Sequence, residues 1–157
     1  DDKWYSNKLS LQIDFMKTNK IFFSFTSYDI IDNKGNPTNK VISVTEKITH
    51  SQYLKNTIIG CLTVIIDTKN IKIPLMKDIR TSHDMVLWLD ILKNEKYAFG
   101  LNQVLASYRL SSNSNTKNKL FAAIDVWRVY RKYERLNVVN SFYNLIHYAF
   151  NALKKRI

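Results

Sequence analysis

The sequence predicts an α/β fold, in which a mixed sheet is flanked by helices and is followed by two amphipathic helices. Two β-prone, apolar runs, at 21–28 and 58–66, are separated by segments with helical periodicity. Alternation of this kind is typical of a mixed sheet covered by helices. From Leu120 to Leu153, apolar residues recur at helical spacing, which predicts the two helices at the end.

Composition places the chain among folded proteins with an anionic partner. It has 157 residues, of which 45% are apolar, so one domain can bury a core and disorder is excluded. The formal charge of +11 predicts binding to nucleic acid, acidic lipid or a phosphorylated ligand, and composition does not choose among them. The single cysteine, Cys61, excludes an internal disulfide and fits a reducing compartment. No run of 18 apolar residues indicates a membrane span.

The first half is predicted to contain two helices and three strands. We expect a helix over 6–20 with Leu9, Ile13 and Met16 on one face, a strand over 21–28, an edge strand over 40–44, a short helix over 49–56 opened by a Thr49/Gln52 capping box, and a strand over 58–66. The last strand is apolar throughout, which predicts burial on both faces. Gly60 inside it favours either close approach by a ligand or a simple bulge.

The helix that follows Arg80 is predicted to be buried and to carry an acid at its start. Every residue from Met85 to Leu92 except Asp90 is apolar, and Thr81 and Asp84 have the spacing of a capping box. A carboxylate fixed at the mouth of a rigid helix would suit a catalytic base. The alternative is that Asp84 only caps the helix and complements its dipole.

The second half is predicted to contain strand-like pieces over 97–110, a polar loop over 111–119 and the basic helical tail. The loop is either a binding loop or a solvated linker. From Lys117 to the end there are nine Lys and Arg against two acidic residues. Such a tail either lies on an anionic membrane surface or covers the core with its apolar face.

Several short motifs together resemble one enzyme family. In chain order they are Asp1-Asp2-Lys3-Trp4, Lys8-Leu9-x-x-Gln12, Phe25-Thr26-Ser27-Tyr28, Ile59-Gly60-Cys61-Leu62-Thr63-Val64, Arg80-x-x-x-Asp84-x-x-x-Trp88-Leu89, Tyr108-Arg109 and Trp127-Arg128-Val129-Tyr130-Arg131. Their order resembles the C-terminal half of family 2 glycosyltransferases with the GT-A fold. They are most similar to bacterial transferases of teichuronic acid and other surface polysaccharides. The resemblance divides the chain into an acceptor-side part over 1–116, whose nucleotide-binding half is missing, and a basic helical tail over 117–157.

The resemblance implies an inverting transfer of a sugar from a nucleoside-diphosphate donor to a hydroxyl of a glycan or lipid-linked acceptor. Asp84 matches the family's general base. Asp1 matches the last carboxylate of its metal motif, which implies Mg²⁺ or Mn²⁺, since these hard cations take oxygen ligands. Asp2 matches the next acid and, with Arg109, is expected on the donor diphosphate side.

Two further residues are expected near the sugar or acceptor. Trp88 lies one turn after Asp84, so it lines that pocket or packs in the core, and Gly60 is the other candidate. The implied location is cytoplasmic, with peripheral binding to the inner face of the cell membrane as one outcome for the tail. We expect no nucleic-acid partner, because no nucleic-acid motif is present.

Two other hypotheses stay open at the level of sequence. One is a non-enzymatic basic module that binds nucleic acid or an anionic membrane, which the +11 charge favours. The other is an inactive truncated product. Because the family's nucleotide-binding half is not represented, we expect this part alone to be inactive even under the enzymatic hypothesis.

Overall fold

The protein is a mixed six-stranded sheet flanked by helices, as the alternating pattern predicted. A computed structural model describes residues 2–79, 81–110 and 119–154. The strands are β1 (Lys3–Trp4), β2 (Phe23–Ile31), β3 (Pro37–Ile42), β4 (Lys47–Ile48), β5 (Ile65–Ile66) and β6 (Ala98–Arg109). The helices are α1 (Lys8–Asn19), α2 (His50–Lys55), α3 (His83–Leu92), α4 (Lys119–Arg128) and α5 (Val138–Lys154). A 3₁₀ turn covers Cys61–Thr63 and a π-helical turn covers Val129–Tyr133.

The centre of the sheet is the parallel pair of β2 and β6, in the order β1-β6-β2-β3. The other pairings are antiparallel, and β3 lies at an edge as expected. Gly100 of β6 is required here, because a Cβ at this position would lie 2.0 Å from the carbonyl oxygen of Thr45. The segment between β3 and β4 therefore contacts the β6 backbone so closely at Gly100 that no side chain fits between them.

Helix α3 is the buried helix that the sequence predicted, although it begins differently. Seven of its ten side chains are buried, and the ring of Trp88 packs against that of Phe23 with 5.6 Å between centroids. The capping box was wrong. Ser82 precedes the helix in a left-handed conformation, and Thr81 Oγ1 donates to Asp125 Oδ2 at 2.5 Å instead of capping α3. At α2, by contrast, both bonds of the predicted Thr49/Gln52 capping box are present.

The predicted strand over 58–66 was wrong for all but Ile65–Ile66, and these two residues are half-buried rather than buried on both faces. The chain makes a 3₁₀ turn at Cys61–Thr63, with Thr63 N and Thr63 Oγ1 both donating to the Gly60 carbonyl oxygen, and only Ile65–Ile66 pair with β2. Strand preference of β-branched residues depends on what they pack against. Here hydrogen bonds from elsewhere in the fold hold the turn and override that preference.

Helical spacing identified α1 correctly, but of the predicted apolar face only Met16 is buried. Leu9 and Ile13 are 48% and 37% exposed, and the other two buried residues are Lys8 and Gln12. The polar side is buried because Lys8 and Gln12 have hydrogen-bond partners there.

The helical tail breaks between α4 and α5, as expected near residue 136. At this break the Glu134 carboxylate, whose side chain is only 3% exposed, lies 2.8 Å from His50 Nε2 of α2 and 2.8 Å from Lys93 Nζ at the end of α3. Tyr130, also buried, donates to the carbonyl oxygen of Leu54 at 2.5 Å. The tail is thus fixed to α2 and α3.

In the part of the chain that the structure describes, no helix combines the length and the apolar character needed to cross a bilayer. The predicted polar loop falls mainly on 111–118, outside the described residues.

Candidate active site

Asp84 lies in the first turn of α3, where the sequence placed it. Its side chain is partly exposed, and Oδ1 accepts a hydrogen bond from the Met85 N–H at 2.9 Å. The free N–H groups at a helix start favour a negative charge. The buried helix behind the carboxylate fixes its position, and its partial exposure leaves it accessible.

Cys61 connects Asp84 with Asp2. The residue as a whole is exposed, yet desolvation, followed by the negative charges of Asp84 and Asp2, raises the pKa of its thiol. The predicted base and one predicted donor-side acid thus both act electrostatically on a residue of the 3₁₀ turn.

Three side chains hold this turn by its carbonyl oxygens. Trp4 Nε1 donates to Leu62 O at 2.7 Å, and Gln12 Nε2 and Lys8 Nζ donate to Thr63 O at 3.0 and 3.3 Å. Gln12 also donates to Ser24 Oγ of β2 at 2.9 Å. These bonds join β1, α1 and β2 to the 3₁₀ turn at Cys61–Thr63.

Lys8 is a buried lysine, and sequence reasoning missed its role. It donates to Gln12 Oε1 at 2.6 Å, and its ammonium lies 4.5 Å from the centroid of the Trp4 ring. Burial lowers the pKa of Lys8 to about 8. The available signal was the Lys8/Gln12 pair, four residues apart on a helix whose leucines are exposed.

Asp2 and Arg109 meet, but through the Arg109 backbone. Asp2 Oδ1 accepts from Arg109 N at 2.9 Å, while the guanidinium donates to the carbonyl oxygen of Asn33 at 3.1 Å, in the turn between β2 and β3. The guanidinium thus contacts the hairpin turn in this conformation. Contact with a diphosphate stays a prediction for both residues, and Asp1 lies outside the described residues.

Gly60 lies against Tyr28. A Cβ on Gly60 would be 3.3 Å from Tyr28 Cε1 and 3.2 Å from Leu62 Cδ2. Burial, then the neighbouring Tyr108 and the charge of Asp2, raise the pKa of Tyr28 to about 12. A neutral Tyr28 therefore borders the turn. Contact of Gly60 with a ligand stays a prediction.

Known bacterial proteins match the whole chain. It is 45% identical over 157 residues to TuaG of Bacillus subtilis, a glycosyltransferase named for teichuronic acid biosynthesis, and covers 62% of that protein. It is 35% identical over 159 residues to WfgD and 34% identical over 158 residues to WfaP, both of Escherichia coli, and covers 60% of each. Both are named UDP-Glc:alpha-D-GlcNAc-diphosphoundecaprenol beta-1,3-glucosyltransferase. No protein-family model matches the chain.

This chain is a homologue of bacterial glycosyltransferases. TuaG is named for teichuronic acid biosynthesis, and the two Escherichia coli relatives are named for glucosyl transfer. The chain spans about three fifths of the length of these glycosyltransferases. These relatives confirm the resemblance to glycosyltransferases that the short motifs indicated.

For a glycosyltransferase homologue, the placement of Trp88 is informative. The side chain is 5% exposed and packs in the core, which is the second of the two interpretations that the sequence left open. Its position one turn after Asp84 therefore supports the helix under the carboxylate rather than a surface for a sugar.

A cavity of about 430 Å³ opens beside the start of α3. Thr81, Asp125, Arg128 and Lys132 contribute its polar walls. Arg128 Nη1 lies 3.2 Å from Asp125 Oδ1, and the Arg128 side chain is 70% exposed. Thr81, which lines this cavity, lies three residues before Asp84. The cavity thus places the cationic groups of Arg128 and Lys132 beside the start of α3.

The described residues do not build a metal site by themselves. Among residues 2–79, 81–110 and 119–154, no group of three or more His, Cys, Asp or Glu side chains could hold an ion. Asp1, the predicted metal ligand, lies outside the described residues, so a divalent cation stays a prediction.

Proposed function

We propose that this chain forms the acceptor side of an inverting glycosyltransferase. The donor would be a nucleoside-diphosphate sugar, and the acceptor a hydroxyl of a glycan or lipid-linked glycan. The observation that carries the proposal is the partly exposed Asp84 carboxylate, fixed at the start of a buried helix in a homologue of glycosyltransferases.

Asp84 is proposed as the general base. Its carboxylate takes the proton of the acceptor hydroxyl while that oxygen forms a bond to the anomeric carbon of the donor. The bond between this carbon and the diphosphate oxygen breaks, and the nucleoside diphosphate leaves with the electron pair. A single displacement of this kind inverts the anomeric configuration.

The carboxylate is suited to this role because it does not have to be repositioned during the reaction. The helix under it is packed on the sheet through Trp88, and the neighbouring turn is held by Trp4, Lys8 and Gln12. Holding reacting groups in place contributes a large part of enzymatic rate enhancement. A positioned general base adds about 10²- to 10⁴-fold.

A divalent cation remains part of the proposal. When bound, Mg²⁺ or Mn²⁺ would neutralise the charge that develops on the leaving diphosphate. Asp1 is the proposed ligand from this chain, with Asp2 on the side of the donor diphosphate, and the remaining ligands would come from outside the described residues. The part of the relatives that this chain does not span is the proposed source.

We further propose that the enzyme works on the cytoplasmic side, at the inner face of the cell membrane. The two Escherichia coli relatives are named for an acceptor linked to diphosphoundecaprenol. A lipid-linked acceptor of the same class would place the reaction at a bilayer surface, and the Arg128 and Lys132 cavity offers charge for its phosphates.

The test is Asp84→Asn in a protein that also carries the portion which the relatives have and this chain does not span. We expect kcat to fall by about 10²- to 10⁴-fold, with donor Kd changed by less than about threefold, because the amide keeps the shape but accepts no proton. Asp90→Asn, on the same helix and paired with the exposed Lys93, is the matched control and should retain turnover. Unchanged turnover in Asp84→Asn would remove Asp84 from the mechanism.

A further inference from the structure

The side of helix α5 that faces the protein is mixed. Ser141 is fully buried, Asn144 is 7% exposed, Leu145 and Tyr148 pack against the core, and Asn151 Nδ2 donates to the Lys55 carbonyl oxygen at 3.0 Å. The opposite side of the helix is apolar and faces solvent. Its residues, called the outer stripe below, are Val139, Phe142, Tyr143, Ile146, Phe150 and Leu153, each more than half exposed.

An ordinary surface helix turns its apolar side to the core, whereas α5 leaves most of its large apolar side chains outside. The outer stripe runs along the whole of α5, since its members recur at intervals of three and four residues. Soluble monomers rarely expose a contiguous apolar surface of this kind, and such surfaces mark interaction sites. Leu145, Tyr148 and the Asn151 hydrogen bond hold the helix on the protein while the outer stripe stays available.

The charges around the outer stripe are positive. Lys55 Nζ lies 4.9 Å from the centroid of the Tyr143 ring, and Lys154 Nζ lies 4.9 Å from that of Phe150. Residues 138–154 contain no Asp or Glu, and Lys155 and Arg156 follow in the sequence. Aromatic and aliphatic side chains with a cationic border are the composition of helices that lie in the interface of an anionic bilayer.

We propose that the outer stripe is the membrane-docking surface of this protein, with α5 lying parallel to a bilayer that contains anionic lipid. At 17 residues the helix is about 25 Å long, so it can lie along the headgroup region. A second copy of the chain is the less favourable occupant, because pairing two outer stripes would bring their lysine borders together. Anionic headgroups instead neutralise Lys55 and Lys154.

In the proposed function the acceptor is linked to a lipid, so docking would bring the protein to the bilayer that holds the acceptor. Only this role of docking rests on the proposed function. Binding itself needs no turnover, so the two proposals fail separately.

The experiment is flotation of the protein with vesicles of phosphatidylcholine containing about 30 mol% phosphatidylglycerol, compared with phosphatidylcholine alone. We expect binding to the anionic vesicles, weaker at about 0.5 M than at about 0.1 M salt. Ile146→Asp should lower the partition coefficient by about tenfold or more, because it places a charge in the centre of the outer stripe. Asn140→Asp makes the same charge change on the same helix outside the outer stripe, and should bind within about twofold of the parent.

Thermal unfolding of both variants verifies that the fold is kept, as both positions are exposed. Equal flotation of Ile146→Asp and the parent would overturn the proposal, and so would binding that ignores anionic lipid. It would also be overturned if the parent were a dimer that Ile146→Asp dissociates and that leaves vesicles unbound, or if binding were lost once the relatives' remaining portion is attached. Flotation of Asp84→Asn should equal that of the parent, so a failure of docking and a failure of the catalytic proposal give different results.

Discussion

Gly60 directly precedes the 3₁₀ turn and Gly100 lies within β6, and the space around the two glycines differs. At Gly100 the atom that a Cβ would meet is a backbone oxygen, Thr45 O, at 2.0 Å. At Gly60 the neighbours are the ends of Leu62 and Tyr28 side chains at 3.2 and 3.3 Å, and φ of −80° suits any residue. Side-chain ends adjust by a few tenths of an ångström, whereas a backbone segment held between β3 and β4 does not.

We predict that Gly100→Ala lowers the free energy of unfolding by about 3 kcal/mol or more, because overpacking here must displace backbone. Gly60→Ala should change it by less than about 1 kcal/mol, since a small contact cost is offset by the reduced freedom of the unfolded chain. Urea denaturation of both variants measures the difference. Equal stability of the two would mean that the segment at Thr45 yields easily.

At this scale, the sequence predicted what is local. Asp84 was placed correctly at a helix start, because apolar periodicity and the polar residues before it are adjacent in the chain. The burial of Lys8 was missed, because its partner Thr63 O is 55 residues away. The choice between a pocket and a core position for Trp88 also needed the packing of Phe23 against it.

At the scale of elements, α2, α3 and the tail meet at the Glu134 carboxylate. Burial opposes the charged form of Glu134, but hydrogen bonds and charge from His50 and Lys93 outweigh it and lower its pKa. A carboxyl whose pKa is lower in the folded state adds stability above its unfolded pKa near 4.5, and this stability is lost as pH falls through the folded pKa.

Glu134→Gln should therefore destabilise the protein by about 1–3 kcal/mol near pH 7, since it leaves Lys93 and His50 without their shared carboxylate. The difference from the parent should shrink as pH falls from about 4.5, the unfolded-state pKa, through the lower folded-state pKa, below which the parent carboxylate is protonated in both states. Urea denaturation at several pH values measures this. Glu46→Gln, at an exposed position, is the control and should show neither effect. A difference that is constant with pH would mean that shape rather than charge holds this junction.

Elements were predicted well where one signal acts alone. The α2 capping box and the buried α3 were correct, as was the break before α5. The strand over 58–66 and the apolar face of α1 failed for one shared reason. Lys8 and Gln12 bind the 3₁₀ turn, which buries the polar side of α1 and bends the middle of the strand.

At the scale of the whole molecule, the charge of +11 predicted an anionic partner without choosing one. The relatives are named as glycosyltransferases, and the exposed apolar side of α5 with its lysine border directs the further proposal toward anionic lipid. Burial decided what periodicity left open. The spacing of apolar residues in α5 is the same whether they face the core or the solvent, so the sequence alone could not tell which side is docked.

Turnover should depend on the portion of the relatives that this chain does not span. We predict that the chain alone releases no nucleoside diphosphate from a donor sugar above background, because its described residues hold no cluster of metal ligands. Joining it to the corresponding portion of a relative such as TuaG should give turnover that a chelator abolishes. Comparable turnover by the chain alone would show that a complete donor site is present within it.

Cys61 gives this protein a natural point for attaching a spectroscopic reporter. It is the sole thiol of the sequence, it is exposed, and its pKa responds to the charges of Asp84 and Asp2. Because its pKa is raised, alkylation with a fluorophore proceeds better in mildly alkaline buffer. The emission of that dye would then report arrival of a sugar or phosphate ligand without any substitution in the chain.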